Sequence, residues 1–274
     1  MSLEDYNLEK LESGTFLEVF KGTKKGSQDC FIVMKLTRDV VNKDIEDIFF
    51  EGLEVLKDIN HPNIIKLLEI KQESKFLYLI CEYYNGGDLA FYLKEKKSPL
   101  SEEVVQHIMK QLINAIKYLH EKKIVHRDIK PENIFINYAS EKDLSEKNLL
   151  NSKIILGGFG VSTHLKQDQL LDLLVGTKRY MSPEIEKGSS YNEKVDIWSL
   201  GVVFSELLLG KQPFYPSGEN KNKINYDLFK ALSKEARAFI DCMLQEDPNN
   251  RKTAEELLKQ DFLVKNIKEF NYTI

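Results

Sequence analysis

Short β-branched and aromatic stretches dominate the first third of the chain, over Tyr6–Phe20 and Cys30–Leu36, and Gly22-Thr23-Lys24-Lys25-Gly26 between them is rich in turn formers. Strands are the expectation for these stretches. The period changes at Ile45: Ile45, Ile48, Phe49, Leu53, Leu56 and Ile59 recur as on one face of a helix, until His61-Pro62-Asn63 ends it. Two more strands are expected over Ile64–Lys71 and Phe76–Cys81. Past Asn85-Gly86-Gly87 the pattern becomes helical. Ser101-Glu102-Glu103-Val104 opens a long amphipathic helix through His120, and helical stretches follow around Val195–Leu209, Lys234–Leu244 and Ala254–Lys259. The polar stretch Tyr138–Ser152 reads as an exposed loop between two short strands. The order predicts an α+β, bilobal fold: a small β-rich lobe with one helix over about residues 1–84, and a larger helical lobe over about residues 85–274. No internal repeat is visible.

Composition narrows the partners. The chain has 274 residues, 42% hydrophobic and 30% charged, enough for a substantial core. Its net charge of −4 is interspersed in sign, which argues against a nucleic-acid partner. Cys30, Cys81 and Cys242 lie far apart, with neither disulfide-framework nor metal-ligand spacing, and fit a reducing compartment. Met1 to Lys10 lacks the apolar core of a signal peptide, and no apolar run is long enough to cross a bilayer. The expected location is cytoplasmic, with the nucleus as the alternative and no membrane partner.

His126-Arg127-Asp128-Ile129-Lys130-Pro131-Glu132-Asn133 resembles the catalytic loop of eukaryotic protein kinases, of the serine/threonine class because Lys130 follows Asp128 by two residues. The resemblance extends over nearly the whole chain. Val33-Met34-Lys35, His61-Pro62-Asn63-Ile64, Gly176 to Glu184, Asp196 to Gly201 and Asp247 to Arg251 follow in the family's order.

The resemblance implies a protein-kinase-like fold and a set of roles. Asp128 is the carboxylate that accepts the substrate hydroxyl's proton, Lys130 contacts the transferred phosphoryl group, and Asn133 coordinates magnesium. Lys35 resembles the lysine that anchors the nucleotide phosphates. The adenine pocket is expected from Leu11, Val19, Val33, Cys81 and Phe135, with backbone groups of Glu82 and Tyr84 at the base and Asp88 near the ribose. Plain core packing is the alternative for each apolar member. Gly14 is the middle glycine of the phosphate-covering loop. Glu184 with Arg251, and Asp196, resemble structural members of the large lobe; His126, Phe159 and Leu56 resemble members of the stack that joins the lobes.

Other positions depart from the family. The phosphate-covering loop, Glu12-Ser13-Gly14-Thr15-Phe16-Leu17, keeps only its middle glycine, so side chains at the outer positions hinder backbone approach to phosphate. The magnesium-binding Asp-Phe-Gly is Gly158-Phe159-Gly160, and a glycine ligates nothing through its side chain. Nine residues before His61, the position of the glutamate that pairs with the anchoring lysine is Gly52; Glu51 beside it points about 100° away. Removing one preorganised electrostatic contact typically costs about 10²–10³ in rate.

Two functions follow as expectations. One is a pseudokinase that binds a partner kinase or scaffold in signalling, with weak ATP binding and impaired Mg²⁺ binding. The other is a weakly active ATP-dependent Ser/Thr kinase that uses Asp128 as base. The segment from His164 to Gly176 holds no Ser, Thr or Tyr between its ends, and Asp172 is a candidate permanent partner for Arg127. Ser162 and Thr163 are candidate phosphorylation sites, and Thr177 is read as structural.

Overall fold

Three strands, β1 (Tyr6–Ser13), β2 (Leu17–Lys24) and β3 (Cys30–Thr37), form an antiparallel meander that a helix, α1 (Lys43–Lys57), interrupts. The chain returns as β4 (Leu67–Gln72) and β5 (Phe76–Glu82), and β5 inserts between β3 and β4 to give the order β1-β2-β3-β5-β4. The computed structural model describes residues 6–13, 17–37, 43–73, 75–166, 170–216 and 223–270.

Side chains alternate across this sheet, and the register fixes which face each takes. Val19 lies opposite Met34, Ile32 opposite Cys81 and Leu36 opposite Leu77, so these residues share one face. Leu36, Leu77 and Leu79 there bury against Leu53 of α1, while Ile32, Met34 and Cys81 continue into the core of the larger lobe. The opposite face gathers Val33, Tyr78 and Ile80 under Phe20, Phe31 and Phe76.

The larger lobe is built around α3 (Glu102–Glu121) and α6 (Lys194–Leu209), which follow α2 (Leu89–Lys96). Ser101 caps α3 by accepting from the Val104 amide at 3.4 Å. Helix α6 is buried on nearly every side, as its run of apolar residues requires. Short antiparallel pairs join β6 (Ile124–Val125) to β9 (Thr163–His164) and β7 (Ile134–Tyr138) to β8 (Ser152–Leu156). Arg251, 1% exposed, makes a bidentate pair with Glu184 at 2.6 and 2.8 Å. Among the described residues, no helix is long and apolar enough to cross a membrane.

Boundaries depart from the sequence reading by a few residues at several elements, and most at two places. Gly22 to Lys24 belong to β2, so the turn comes later. The stretch expected as a loop over Tyr138–Ser152 contains α4 (Glu141–Glu146) and a 3₁₀ turn, Leu149–Asn151, with Leu149 buried. Ser140 caps α4, and the Asp143 carboxylate accepts from Asn148 at 3.3 Å and Asn151 at 2.9 Å, so local polar bonds organise it.

Candidate functional site

The cleft between the lobes is organised from α6 outward. Asp196, fully buried in that helix, accepts from the backbone amides of His126 and Arg127, both at 2.9 Å, and pairs with His120 Nε2 at 2.9 Å. Burial opposes its ionisation, but the hydrogen bond and charge of His120 prevail and hold its carboxyl below the usual range. The loop so anchored sets Arg127 at φ 69°, a left-handed conformation that side chains rarely adopt.

Asp128 then sits at the centre of a polar network. Its Oδ1 accepts from Thr177 Oγ1 at 2.6 Å; its Oδ2 pairs with Lys130 Nζ at 3.1 Å and accepts from Asn133 Nδ2 at 2.9 Å. Lys130 also donates to Thr177 Oγ1 at 2.7 Å, and Asn133 Nδ2 to the Asp128 carbonyl at 2.7 Å. The fold thus brings Asp128, Lys130 and Asn133 together, and Thr177 bridges the first two. Behind them, buried His126 donates from Nε2 to the Gly157 carbonyl at 2.7 Å and accepts at Nδ1 from the Asp128 amide at 3.2 Å. Its ring meets Phe159 edge-on at 4.8 Å.

Glycines carry the contacts around this network. Gly158 has φ +78°, and a Cβ there would lie 2.2 Å from Asn133 Cγ: the asparagine amide occupies the space of a side chain at 158. A Cβ on Gly52 would lie 1.9 Å from the Phe159 carbonyl oxygen, and one on Gly160 would meet the Phe49 ring at 3.0 Å. Helix α1 therefore rests directly on the Phe159–Val161 turn. Glu51, one residue from Gly52, instead accepts from Thr163 Oγ1 on β9. Among the described residues no cluster of three His, Cys, Asp or Glu side chains could hold a metal ion.

The structure places Lys35 and Val33 apart from the other residues expected at the cleft. Both lie on the sheet face opposite Val19 and Cys81, because Lys35 pairs across β2 with Glu18 and Val33 with Phe20. Lys35 Nζ binds Glu18 Oε2 at 3.1 Å and lies 4.2 Å from the Phe76 ring centroid, outside the cleft. Hydrogen bonds from Lys10 and then Lys35 hold the Glu18 carboxyl below its usual range. Met34 lies on the sheet face that the family resemblance assigned to Lys35. A strand slipped by one residue exchanges its faces, and the all-apolar neighbours of Lys35 permit either register.

Of the expected adenine-pocket residues, Val19 and fully buried Cys81 share the cleft face of the sheet. Phe135, on β7, stacks against Tyr84 with centroids 6.3 Å apart, and its ring would lie 2.6 Å from a Cβ on Gly157. The Tyr84 hydroxyl accepts from the Lys66 amide at 3.3 Å. The Glu82 amide donates to the Lys66 carbonyl at 3.1 Å. Asp88 caps α2, accepting from the Phe91 amide at 2.8 Å. Leu11 is 52% exposed, where the β1 register shifts between Lys10 and Glu12. Gly14 lies outside the described residues.

The expected pairing of Asp172 with Arg127 is replaced by another. Arg127 donates from Nε to the Val161 carbonyl at 2.6 Å and from Nη1 to the Tyr191 hydroxyl at 3.3 Å, while Asp172 is exposed. Tyr191 in turn donates to the Leu173 carbonyl at 2.7 Å, so a tyrosine couples the arginine to the segment. Sequence reasoning missed Tyr191 and Glu18, which belong to no motif, and Met34, which lies inside one but was given no role.

Residues 6–263 match the family model described as "Protein kinase domain". The chain is 32% identical over 259 residues to the serine/threonine-protein kinase ULK3 of Xenopus laevis, covering 91% of this chain and 53% of that protein. To the serine/threonine-protein kinase ULK1 of Homo sapiens it is 29% identical over 258 residues, covering 91% of this chain and 24% of that protein. To the myosin light chain kinase A of Dictyostelium discoideum it is 33% identical over 267 residues, covering 94% and 87%. The chain thus spans about half the length of the first of these relatives and about a quarter of the second.

Proposed function

Given that the chain belongs to the protein kinase domain family, we propose that it is a pseudokinase of the Ser/Thr type, which acts in the cytoplasm or nucleus by binding a partner kinase or scaffold. Kinase domains in general use ATP and Mg²⁺. The observation that carries the reading is the contact of Gly158 with Asn133. A metal bridging to nucleotide phosphates calls for a carboxylate at 158, and the asparagine amide fills that space. The residues present do not fit the family's magnesium site. Met34 on the cleft face, with Lys35 held outside by Glu18, supports weak ATP binding as well.

The test is thermal unfolding of the purified protein with ATP, with and without Mg²⁺ or Mn²⁺. A ligand at 100 times its dissociation constant stabilises by about 2.7 kcal/mol, which is readily measured. The expected result is no shift, or a small shift that is the same without metal. A shift that requires metal overturns the reading.

One observation favours a weakly active Ser/Thr kinase: Lys130 and Thr177 hold the two oxygens of Asp128, which supports a role for its carboxylate as proton acceptor. Transfer of radiolabelled phosphate from ATP to a generic basic-protein substrate, abolished by Asp128→Asn, would establish that reading.

A further inference from the structure

A second cleft, of about 1190 Å³, opens in the larger lobe between the segment Lys178–Lys187 and the stretch that follows α6, and neither Asp128 nor Lys130 lines it. Its size exceeds what a small molecule typically needs, roughly 300–1,000 Å³, and suits a length of peptide. Five cations border it, Lys178, Arg179, Lys187, Lys211 and Lys223, against the carboxylates of Glu186 and Glu246, an excess of three positive charges on a chain whose net charge is −4. All five are exposed, and none is paired with a carboxylate among the described residues. Between these charges the wall is apolar and aromatic, with Trp198 at the base and Phe214, Tyr215 and Tyr226 around it. Two atoms of that wall, Trp198 Nε1 and Gln212 Oε1, are buried without a hydrogen-bond partner.

We infer that this cleft docks an acidic linear segment of a partner protein, with one aromatic or aliphatic side chain seated among the aromatic residues and flanking Asp or Glu side chains on the lysines and Arg179. Charge complementarity selects the occupant: a basic or neutral segment would leave the cations uncompensated, whereas an acidic one gains attraction and faster encounter. The apolar anchor supplies the buried contact that such interfaces concentrate in a few residues. The inference gives the partner of the proposed pseudokinase a chemistry, but it stands on the cleft alone and holds whether or not ATP binds.

Trp198 is the sole tryptophan of the chain, so its emission reports on this cleft. The probes are labelled dodecapeptides with a central Phe, Leu or Met in Asp/Glu flanks, and the same peptides with Lys in the flanks. A saturable change in tryptophan emission is expected with the acidic peptides, with affinity falling as salt is raised. Lys211→Glu combined with Lys223→Glu, both at exposed positions, should weaken binding by about tenfold or more and leave the unfolding temperature in place. If that variant unfolds, Lys178→Glu with Lys187→Glu takes its place. No saturable response to any acidic peptide, an equal response to the lysine-flanked ones, or unchanged affinity in the charge-reversed protein overturns the inference. The nucleotide titration above reads the other site, so failure of one proposal is distinguishable from failure of the other.

Discussion

The carbonyl oxygen of Phe159 occupies the place of a side chain on Gly52, 1.9 Å from where its Cβ would be. The position at which the family resemblance expects a glutamate is here a contact between backbones, and helix α1 is drawn onto the turn below it. A glycine at 52 and the approach of the helix are therefore one feature.

Restoring that glutamate should not restore a kinase. Gly52→Glu must push α1 away from Phe159, whose carbonyl is fixed by the turn, and overpacking of this kind costs about 1–3 kcal/mol, with the 1.9 Å approach placing this case at the upper end. Gly52→Ala should show much of the same loss, because the clash begins at Cβ. Urea unfolding of the two variants checks it; an unaffected midpoint for Gly52→Ala would mean that the helix can retreat freely.

Gly158→Asp meets a double obstacle. The residue has φ +78°, which costs a side chain about 1–2 kcal/mol, and the new Cβ displaces the Asn133 amide, whose two hydrogen bonds to Asp128 are worth about 1 kcal/mol each. The variant is expected to be less stable by about 3–4 kcal/mol and to gain no metal-dependent shift with ATP. Thermal unfolding with ATP and Mn²⁺ decides the second point, and a clear gain would show that Asn133 yields to the carboxylate.

Lys35 offers a sharper contrast. Since it lies outside the cleft on Glu18, in a pair whose two side chains are about a quarter exposed, Lys35→Met should leave any ATP binding unchanged and cost about 1 kcal/mol of stability or less. Met34→Lys, by contrast, would carry a charge to the cleft face and should raise the affinity for ATP if the fold tolerates it. Equilibrium dialysis with labelled ATP separates the two. Loss of binding in Lys35→Met alone would mean that Lys35 reaches the nucleotide.

The longer helices and the succession of strands along the chain were legible in the sequence, because Ile45 to Ile59 and Glu102 to His120 carry a helical period and Ser101 a cap, whereas short helices such as α2 and α4 were not. The register of β3 was not. Cys30–Thr37 is apolar on both faces, as a strand buried on both sides must be, so alternation could not tell whether Met34 or Lys35 meets the cleft. The catalytic-loop motif singled out Asp128, Lys130 and Asn133 by type and spacing, and the fold brings the three into one polar network. That Asn133 packs on Gly158, or Gly52 on Phe159, depends on segments about a hundred residues apart in one case and 25 in the other, and no local pattern encodes it.

Buried His126 gives the fold a dependence on pH whose sign can be worked out. Desolvation is the main cause that lowers its pKa from the ordinary 6.5, and its Nδ1 must stay unprotonated to accept from the Asp128 amide. In the unfolded chain the ring takes up a proton as pH falls through about 6.5, while in the folded protein it does not until lower pH. The unfolded state then binds more protons, so stability is complete above about 6.5 and declines below it. His61, also lowered by burial, acts in the same direction, and Asp196 adds a further loss only in the carboxylate range. One such histidine contributes a slope of at most about 1.4 kcal/mol per pH unit. Urea midpoints at pH 7.5 and 5.5 should therefore fall for the native protein. His126→Gln, which cannot titrate, should be weaker at pH 7.5 but lose less on acidification. An equal loss in both would assign the acid sensitivity to other groups and free His126 from the role given to it here.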